Sequence, residues 1–361
     1  MKNRAIITVT NDLVTDQRAH KIALTLVEMG YDITLVGRQF NHSKELQRTY
    51  NTKRFKLLFN KGFLFYACYN IRLFFYLIVN PADLIWSCDL DTLSACYLSS
   101  KIKKSKLVYD SHELFTEVPE LNNRPTIKKI WLIIEQWIFP KLKIIFTVSH
   151  SIAKIYSEKY KVDVRVVRNL PFKKDFLGSF SDRENIILYQ GAINLNRGVE
   201  ELVLAMNMVS NASLLIVGDG DVINSVKELV RLNNLENKVK FFGKVPFEDL
   251  DEISNQAILG VSLEKSSSKS YAYSLPNKVF DYIKNGVPVL VSNLPEVKKI
   301  VEQYNVGQVL NEISPKEIAD KINVLLSSKE MLQHYSKNCV EAHQELNWEH
   351  EKQIIISALN E

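Results

Sequence analysis

The chain has 361 residues, 46% of them hydrophobic and 24% charged, which suits a soluble globular protein of two domains and excludes a disordered or fibrous one. Four cysteines (Cys68, Cys88, Cys96, Cys339) show neither CxxC nor metal-ligand spacing, which predicts reduced cytosolic thiols and no structural metal. Net charge is +5, but residues 1–180 carry 28 Lys and Arg against 16 Asp and Glu (+12), and residues 181–361 carry 18 against 25 (−7). The basic half is expected to meet something anionic. Without a basic base-reading helix or an RNP-like aromatic motif, a membrane surface suits it better than nucleic acid.

A short polar start runs straight into an apolar stretch, so no signal peptide is expected. Strands are predicted near Ala5–Val9, Asp32–Val36, Phe55–Phe59, Asp83–Trp86, Lys106–Tyr109, Ile144–Val148 and Val164–Val167, with helical patterns between them. Ala19, Ile22, Ala23 and Leu26 fall at i, i+3, i+4, i+7, one helix face. Gly62–Val79 is apolar enough to tempt a membrane-span reading. Asn70 and Arg72 stand near its middle, where an arginine costs about 2.5–3.5 kcal/mol on the insertion scale, so a packed domain helix is expected. Ile127–Phe139 sets Lys128 and Lys129 beside Trp131, Trp137 and Phe139, a pattern shared by core helices with a cationic start and by interfacial helices. A linker is predicted at Asn169–Arg183, with Pro171 and Gly178. Strands then resume near Asn185–Tyr189, Ser213–Val217, Val239–Phe242, Ile258–Leu263, Pro288–Val291 and Gly307–Val309. After Ser314 the pattern is helical, with Trp348 and Ile354–Ile356 on the last apolar face. This alternation signals parallel α/β architecture.

In such sheets ligands bind at the carboxyl ends of the strands. In Tyr189–Val199, Gly191 permits close approach to the backbone and Arg197 adds a permanent cation at a helix start, a combination suited to phosphate. Val217-Gly218-Asp219-Gly220 ends the next strand. Phe242-Gly243-Lys244-Val245-Pro246 ends another, with Pro246 placed to start a helix. In Tyr271–Tyr282 a helix opens at Pro276 and carries Asp281, whose carboxylate can accept both hydroxyl protons of a ribose diol or else complement the helix dipole. Asp89-x-Asp91 superficially looks like a metal motif, yet at a helix N-terminus a capping role is expected. The first strand ends in Thr8-Val9-Thr10-Asn11-Asp12, not G-x-G-x-x-G, which disfavours a nicotinamide dehydrogenase.

Taken in order, these segments together with Asn11–Arg18, Asp89–Leu93, Tyr109–Leu114 and Val167–Pro171 resemble glycosyltransferase family 4. The resemblance implies the GT-B fold: two facing Rossmann-like parallel-sheet domains, with a C-terminal helix returning to the first. The boundaries expected are 1–172 for the acceptor-side domain, 173–345 for the donor domain and 346–361 for the returning helix. It also implies retaining transfer from a nucleoside diphosphate sugar to a hydroxyl of a saccharide or lipid-linked acceptor, in cell-surface polysaccharide synthesis. Neither a metal nor another cofactor is expected.

Residue by residue, the resemblance implies that Arg197 meets the donor phosphates, Gly191 lies beneath the sugar nucleotide and Asp281 holds the ribose. Lys244 and its neighbours meet the base, and His112 points at the donor sugar. The implied donor group is completed by Gly218, Asp219, Tyr273, Leu275, Asn277 and Lys278. Asp16, Arg18, Asp110 and Glu113 are assigned to the acceptor side. Two positions depart from the family pattern. Ala192 replaces an arginine, for which Lys278 is a substitute, and Tyr273 replaces the first of two paired acids. A sugar-nucleotide 2-epimerase of the same fold and a non-catalytic partner subunit are the alternatives. The expected location is cytoplasmic, peripheral on the inner face of the cell membrane.

Overall fold

The computed structural model describes residues 2–41, 43–175, 178–246 and 249–361. The chain forms two compact units, Met1–Asn169 with Glu351–Glu361, and Leu170–His350. In the first unit seven parallel strands are ordered β3-β2-β1-β4-β5-β6-β7: β1 (Arg4–Asp12), β2 (Asp32–Arg38), β3 (Asn51–Phe55), β4 (Leu84–Cys88), β5 (Lys106–Ser111), β6 (Ile144–Thr147) and β7 (Arg165–Val166). Helices α1 (Gln17–Glu28), α2 (Gly62–Val79), α3 (Leu90–Lys103), α4 (Pro125–Ile138) and α5 (His150–Tyr160) connect them. Central strands buried on both faces need nearly continuous apolar runs, and Ala5–Val9 and Leu84–Cys88 supply them, each broken by one small buried hydroxyl residue, Thr8 and Ser87.

The second unit has six parallel strands ordered β10-β9-β8-β11-β12-β13: β8 (Glu184–Gln190), β9 (Ser213–Val217), β10 (Val239–Gly243), β11 (Ala257–Ser262), β12 (Val289–Val291) and β13 (Gly307–Val309). Its helices are α6 (Val199–Ala205), α7 (Ile223–Leu232), α8 (Leu250–Gln256), α9 (Lys269–Ala272), α10 (Asn277–Lys284), α11 (Pro295–Tyr304), α12 (Pro315–Ser327) and α13 (Lys329–His343). Helix α14 (Trp348–Asn360) starts in the second unit and continues into the first. There Glu351 accepts from the backbone N–H of Arg168 at 2.6 Å and from its Nε at 2.8 Å, while Lys352 pairs with Glu28.

Strand order reverses between β1 and β4 in the first sheet and between β8 and β11 in the second. Such switch points part the outgoing loops and leave a crevice at the carboxyl ends. Most of the candidate residues stand at these two places, while Gly218 and Asp219 follow β9 and Lys244 follows the edge strand β10.

Helix α2 packs as a domain helix. Phe65, Tyr69, Leu73 and Leu77, spaced four apart, form its buried face, each worth about 1.5–3 kcal/mol on burial. Asn70 donates to the carbonyl of Asp91 at 2.7 Å and Arg72 to that of Lys56 at 2.7 Å, so its polar residues are partnered inside the unit. By length and composition α2 is still apolar enough to cross a membrane.

One expectation needs correction, and two others fall partly on residues outside those described. The third strand lies at Asn51–Phe55, not 55–59: Phe55 is its buried last residue, opposite Arg38, while Leu58 and Phe59 are exposed. The helix expected to start at Pro246 falls on Phe247 and Glu248, which lie outside the described residues; α8 begins at Leu250. The expected linker contains Phe176 and Leu177, also outside them, and its start is no loose tether, since Leu170 is fully buried in the second core.

Candidate active site

In the first unit, the loops after β1, β4 and β5 gather charge. Arg18, second residue of α1 and nearly buried, grips Asp110 in a fork, Nη2 to Oδ1 at 2.6 Å and Nε to Oδ2 at 2.9 Å. Its Nη1 donates to the carbonyl of Val167 at 2.7 Å. Asp110 Oδ2 also lies 3.2 Å from His112 Nε2, and Asp89 Oδ2 lies 3.2 Å from His112 Nδ1. The imidazole, 20% exposed, therefore sits between two carboxylates. Burial works against its charge, but Asp89 and Asp110 outweigh it and raise its pKa to about 9. Burial pushes Asp110 upward, yet Arg18 and His112 hold it below the ordinary carboxylate range. At neutral pH His112 is an imidazolium.

Asp89 occupies the N-cap position of α3 without capping it, which corrects the sequence expectation. Its side chain turns to His112, accepting from that backbone N–H at 2.8 Å. The backbone pays with φ 58°, ψ 169°, a region nearly confined to glycine and costing about 1–3 kcal/mol. Asp91, pushed to about 8 by burial and by Asp89, is protonated at neutral pH and accepts from Thr10 Oγ1 at 2.5 Å. Asp16 caps α1 through Ala19 N–H at 3.0 Å and holds Asn11. Asp16 and Arg18 thus position the loop and Asp110, and Glu113 is the half-buried group beside His112.

Among the described residues, Cys88, Asp110 and His112 bring three potential metal-ligating atoms within 4.8 Å of one another. The donor set does not fit a divalent ion. Asp110 is already paired with the Arg18 cation, His112 is charged, and burial holds the Cys88 thiol protonated.

In the second unit, the loops after β8 and β9 interlock. A Cβ on Gly218 would lie 1.9 Å from the carbonyl oxygen of Gly191, so only glycine permits the contact. Gly191 itself, at φ +124°, lies against Lys278, whose Cε would be 3.4 Å from an added Cβ. Arg197 stands just before Gly198, the N-cap of α6. Glu264, 1% exposed beyond the end of β11, ties the two cations together: Oε1 is 3.5 Å from Arg197 Nη1 and 3.0 Å from Lys278 Nζ, and Oε2 accepts from Ser262 Oγ at 2.6 Å. Arg197 also lies over the Tyr271 ring at 4.8 Å and Lys278 over that of Tyr189 at 4.1 Å. Burial disfavours every charge here. Their mutual attraction wins, raising Arg197 and Lys278 and lowering Glu264.

Two cations share one carboxylate, leaving one positive charge beside Gly191, and Arg197 Nε is buried with no hydrogen-bond partner among the described residues. Asp281, fifth residue of α10, accepts from Gln190 Nε2 at 3.2 Å. It lies beyond the first turn, so the dipole alternative loses its basis. Asn277 is exposed at the start of α10, and Tyr273 and Leu275 are half-buried before it. Asp219 is exposed and accepts from Gly220 N–H; Lys244 is exposed after β10.

Sequence reasoning missed Glu264, Gln190 and the hold of Asp89 on His112. A glutamate closing the apolar run Ala257–Leu263 was the available signal for the first.

Two family models match: "Glycosyltransferase Family 4" over residues 16–170 and "Glycosyl transferases group 1" over residues 173–341. Uncharacterized glycosyltransferase MJ1059 of Methanocaldococcus jannaschii is 28% identical over 144 residues, 38% of this chain and 33% of that protein. The match thus spans about a third of the relative's length. Sucrose-phosphate synthase from Thermosynechococcus elongatus superposes with TM-score 0.83 at 17% identity, over 99% of this chain and 98% of that one. Anabaena HepE in complex with UDP-glucose gives 0.76 at 14% identity, over 99% of both chains. With the two models falling on the two units in turn, and the fold matched along nearly its whole length, the chain belongs to glycosyltransferase family 4 and has the GT-B fold.

Proposed function

We propose that the protein transfers a sugar from a nucleoside diphosphate sugar to a hydroxyl of a saccharide or lipid-linked acceptor, with retention and without a metal. The observation that carries this reading is the Arg197–Glu264–Lys278 cluster at the β8/β11 switch point, with its surplus positive charge beside Gly191. A departing diphosphate gains negative charge as the glycosidic bond breaks. One cation about 4 Å away contributes about 4 kcal/mol at an effective dielectric near 20, which supplies the stabilisation a metal would otherwise give. Asp281 accepts the ribose hydroxyls, and Lys244 and Asp219 border the base. His112, as an imidazolium, donates to a sugar hydroxyl. Arg18 and Asp110 hold it there, and Glu113 meets the acceptor. HepE's complex with UDP-glucose makes UDP-sugars the first donors to try.

The test is donor binding read as thermal stabilisation with UDP- and GDP-sugars, followed by product analysis with saccharide acceptors. A donor at 100 times its dissociation constant adds about 2.7 kcal/mol. Asp281→Asn should weaken that stabilisation while leaving the ligand-free melting temperature within a few degrees, because an amide accepts poorly from two hydroxyls. Unchanged donor binding with a sharp drop in melting would make Asp281 a fold residue instead. Transfer should persist in EDTA. Complete loss in chelator, restored by a divalent ion, overturns the metal-free mechanism, and epimer formation without any acceptor overturns the transferase reading.

We further assign the reaction to cell-surface polysaccharide synthesis at the cytoplasmic face of the membrane, with the basic first unit on an anionic surface. The +12 charge of residues 1–180 supports this.

A further inference from the structure

The first unit carries a second basic feature at the opposite edge of its sheet. A cavity of about 690 Å³ opens at the amino ends of β5 and β6, away from Asp110 and His112, and its size is that of a small-molecule cleft. Lys101, Lys104, Lys106, Lys141, Lys143 and Arg165 line it. Its two carboxylates, Asp163 and Glu361, are both engaged by Arg165. Among the described residues none of the five lysines forms an ion pair, although Lys106 also attracts the Glu361 carboxylate. Lys106 donates to the carbonyl of Leu359 at 2.9 Å, and Lys141 lies over the rings of Tyr97 and Trp137 at 5.9 and 4.9 Å.

The surroundings say which anion fits. Helix α3 packs against both α2 and α4. On their outward side Leu98, Ile102, Ile133 and Trp137 are exposed, and Trp137 meets the lining residue Tyr97 edge-on at 5.5 Å. A free phosphate ion has no use for exposed isoleucine and tryptophan. A phospholipid presents a phosphate and hydrocarbon together, and amphipathic Trp and Lys suit that boundary. We propose that the lysine cavity seats the phosphate headgroup of an anionic phospholipid, with the outer residues of α3 and α4 resting on the acyl boundary. The inference rests on the membrane reading above and goes beyond it by naming the seat.

The experiment is sedimentation of the full chain with vesicles of phosphatidylcholine alone and of phosphatidylcholine mixed with phosphatidylglycerol. Two variants of equal net charge are compared: Lys101→Gln with Lys143→Gln in the cavity, and Lys53→Gln with Lys56→Gln, exposed on or beside the edge strand. The parent should bind the anionic vesicles only. The cavity pair should weaken binding about 30-fold, the factor two lysine–headgroup contacts of ordinary strength give, and the edge pair no more than about threefold. Equal loss in both pairs means net charge without a seat and overturns the proposal. So does a parent that binds neither vesicle, or one that binds soluble glycerol phosphate but no vesicle. Because binding is read without turnover, failure of the transferase reading leaves this result standing.

Discussion

Arg197→Ala should lower kcat/KM for sugar transfer by about 10²–10³-fold, the loss typical of one preorganised electrostatic donor. The fold should tolerate the change. Removing Arg197 leaves Glu264 and Lys278 as a one-to-one buried pair at 3.0 Å, with no charge stranded. Glu264→Gln should do the reverse. Its amide can keep the bond with Ser262 but leaves Arg197 and Lys278 buried together without a counter-charge, and breaking such a group costs about 3–5 kcal/mol. That variant should melt well below the parent and be stabilised disproportionately by a nucleoside diphosphate, which returns the missing negative charge. Comparing the two separates anion binding from fold maintenance. Transfer by Arg197→Ala within threefold of the parent would sink the phosphate assignment. A nucleoside diphosphate that stabilises Glu264→Gln no more than the parent would remove the shared-charge account of the cluster.

The contrast between these residues shows what the chain discloses before folding. Gly191, Gly218 and Arg197 stand in loops that end apolar strands, and local pattern places such loops at the carboxyl edge of a parallel sheet. Glu264 is 67 residues from Arg197, and its meaning depends on β11 lying beside β8, a pairing no local window contains. Asp89 misled for a related reason. An acid before a helix predicts a cap, but His112, 23 residues on, takes the carboxylate, and the loop after β5 that brings it there is a tertiary fact. The misplaced third strand has a simpler cause. An edge strand is half-exposed, so Asn51–Phe55 reads as polar while the unpaired Leu57-Leu58-Phe59 reads as strand. Apolar runs betray buried strands, and the edge, where burial is weakest, is where the pattern fails.

Transfer should fall as pH rises through about 9, and Asp89→Asn should bring that fall to lower pH. His112 is held charged by Asp89 and Asp110 against the cost of burial. Loss of the Asp89 carboxylate, which raises it most, leaves burial less opposed and moves the imidazole back toward its ordinary value near 6.5. A histidine with a merely structural role would lower kcat in the variant without moving the profile. Stability should follow with a definite sign. For His112 the folded pKa lies above the unfolded one, so its contribution is full below about 6.5 and is lost as pH rises through about 9. Asp91 is an acid whose folded pKa, about 8, is raised above its ordinary value near 4, so its ionisation in the buried site also destabilises the fold as pH rises toward 8. Both groups bind more protons folded than unfolded, Asp91 between about pH 4 and 8 and His112 between about 6.5 and 9. Both therefore weaken the first unit as pH rises from about 6.5 to 8, and His112 alone does so beyond. Melting measured at pH 6.5, 8 and 9.5 should decline step by step in the parent. In Asp91→Asn, which cannot ionise, the decline should be shallower. A melting temperature that rises over this range, or a rate that stays level to pH 9.5, would mean that His112 is neutral in the working protein, and its role as a charged donor to the sugar would have to be abandoned.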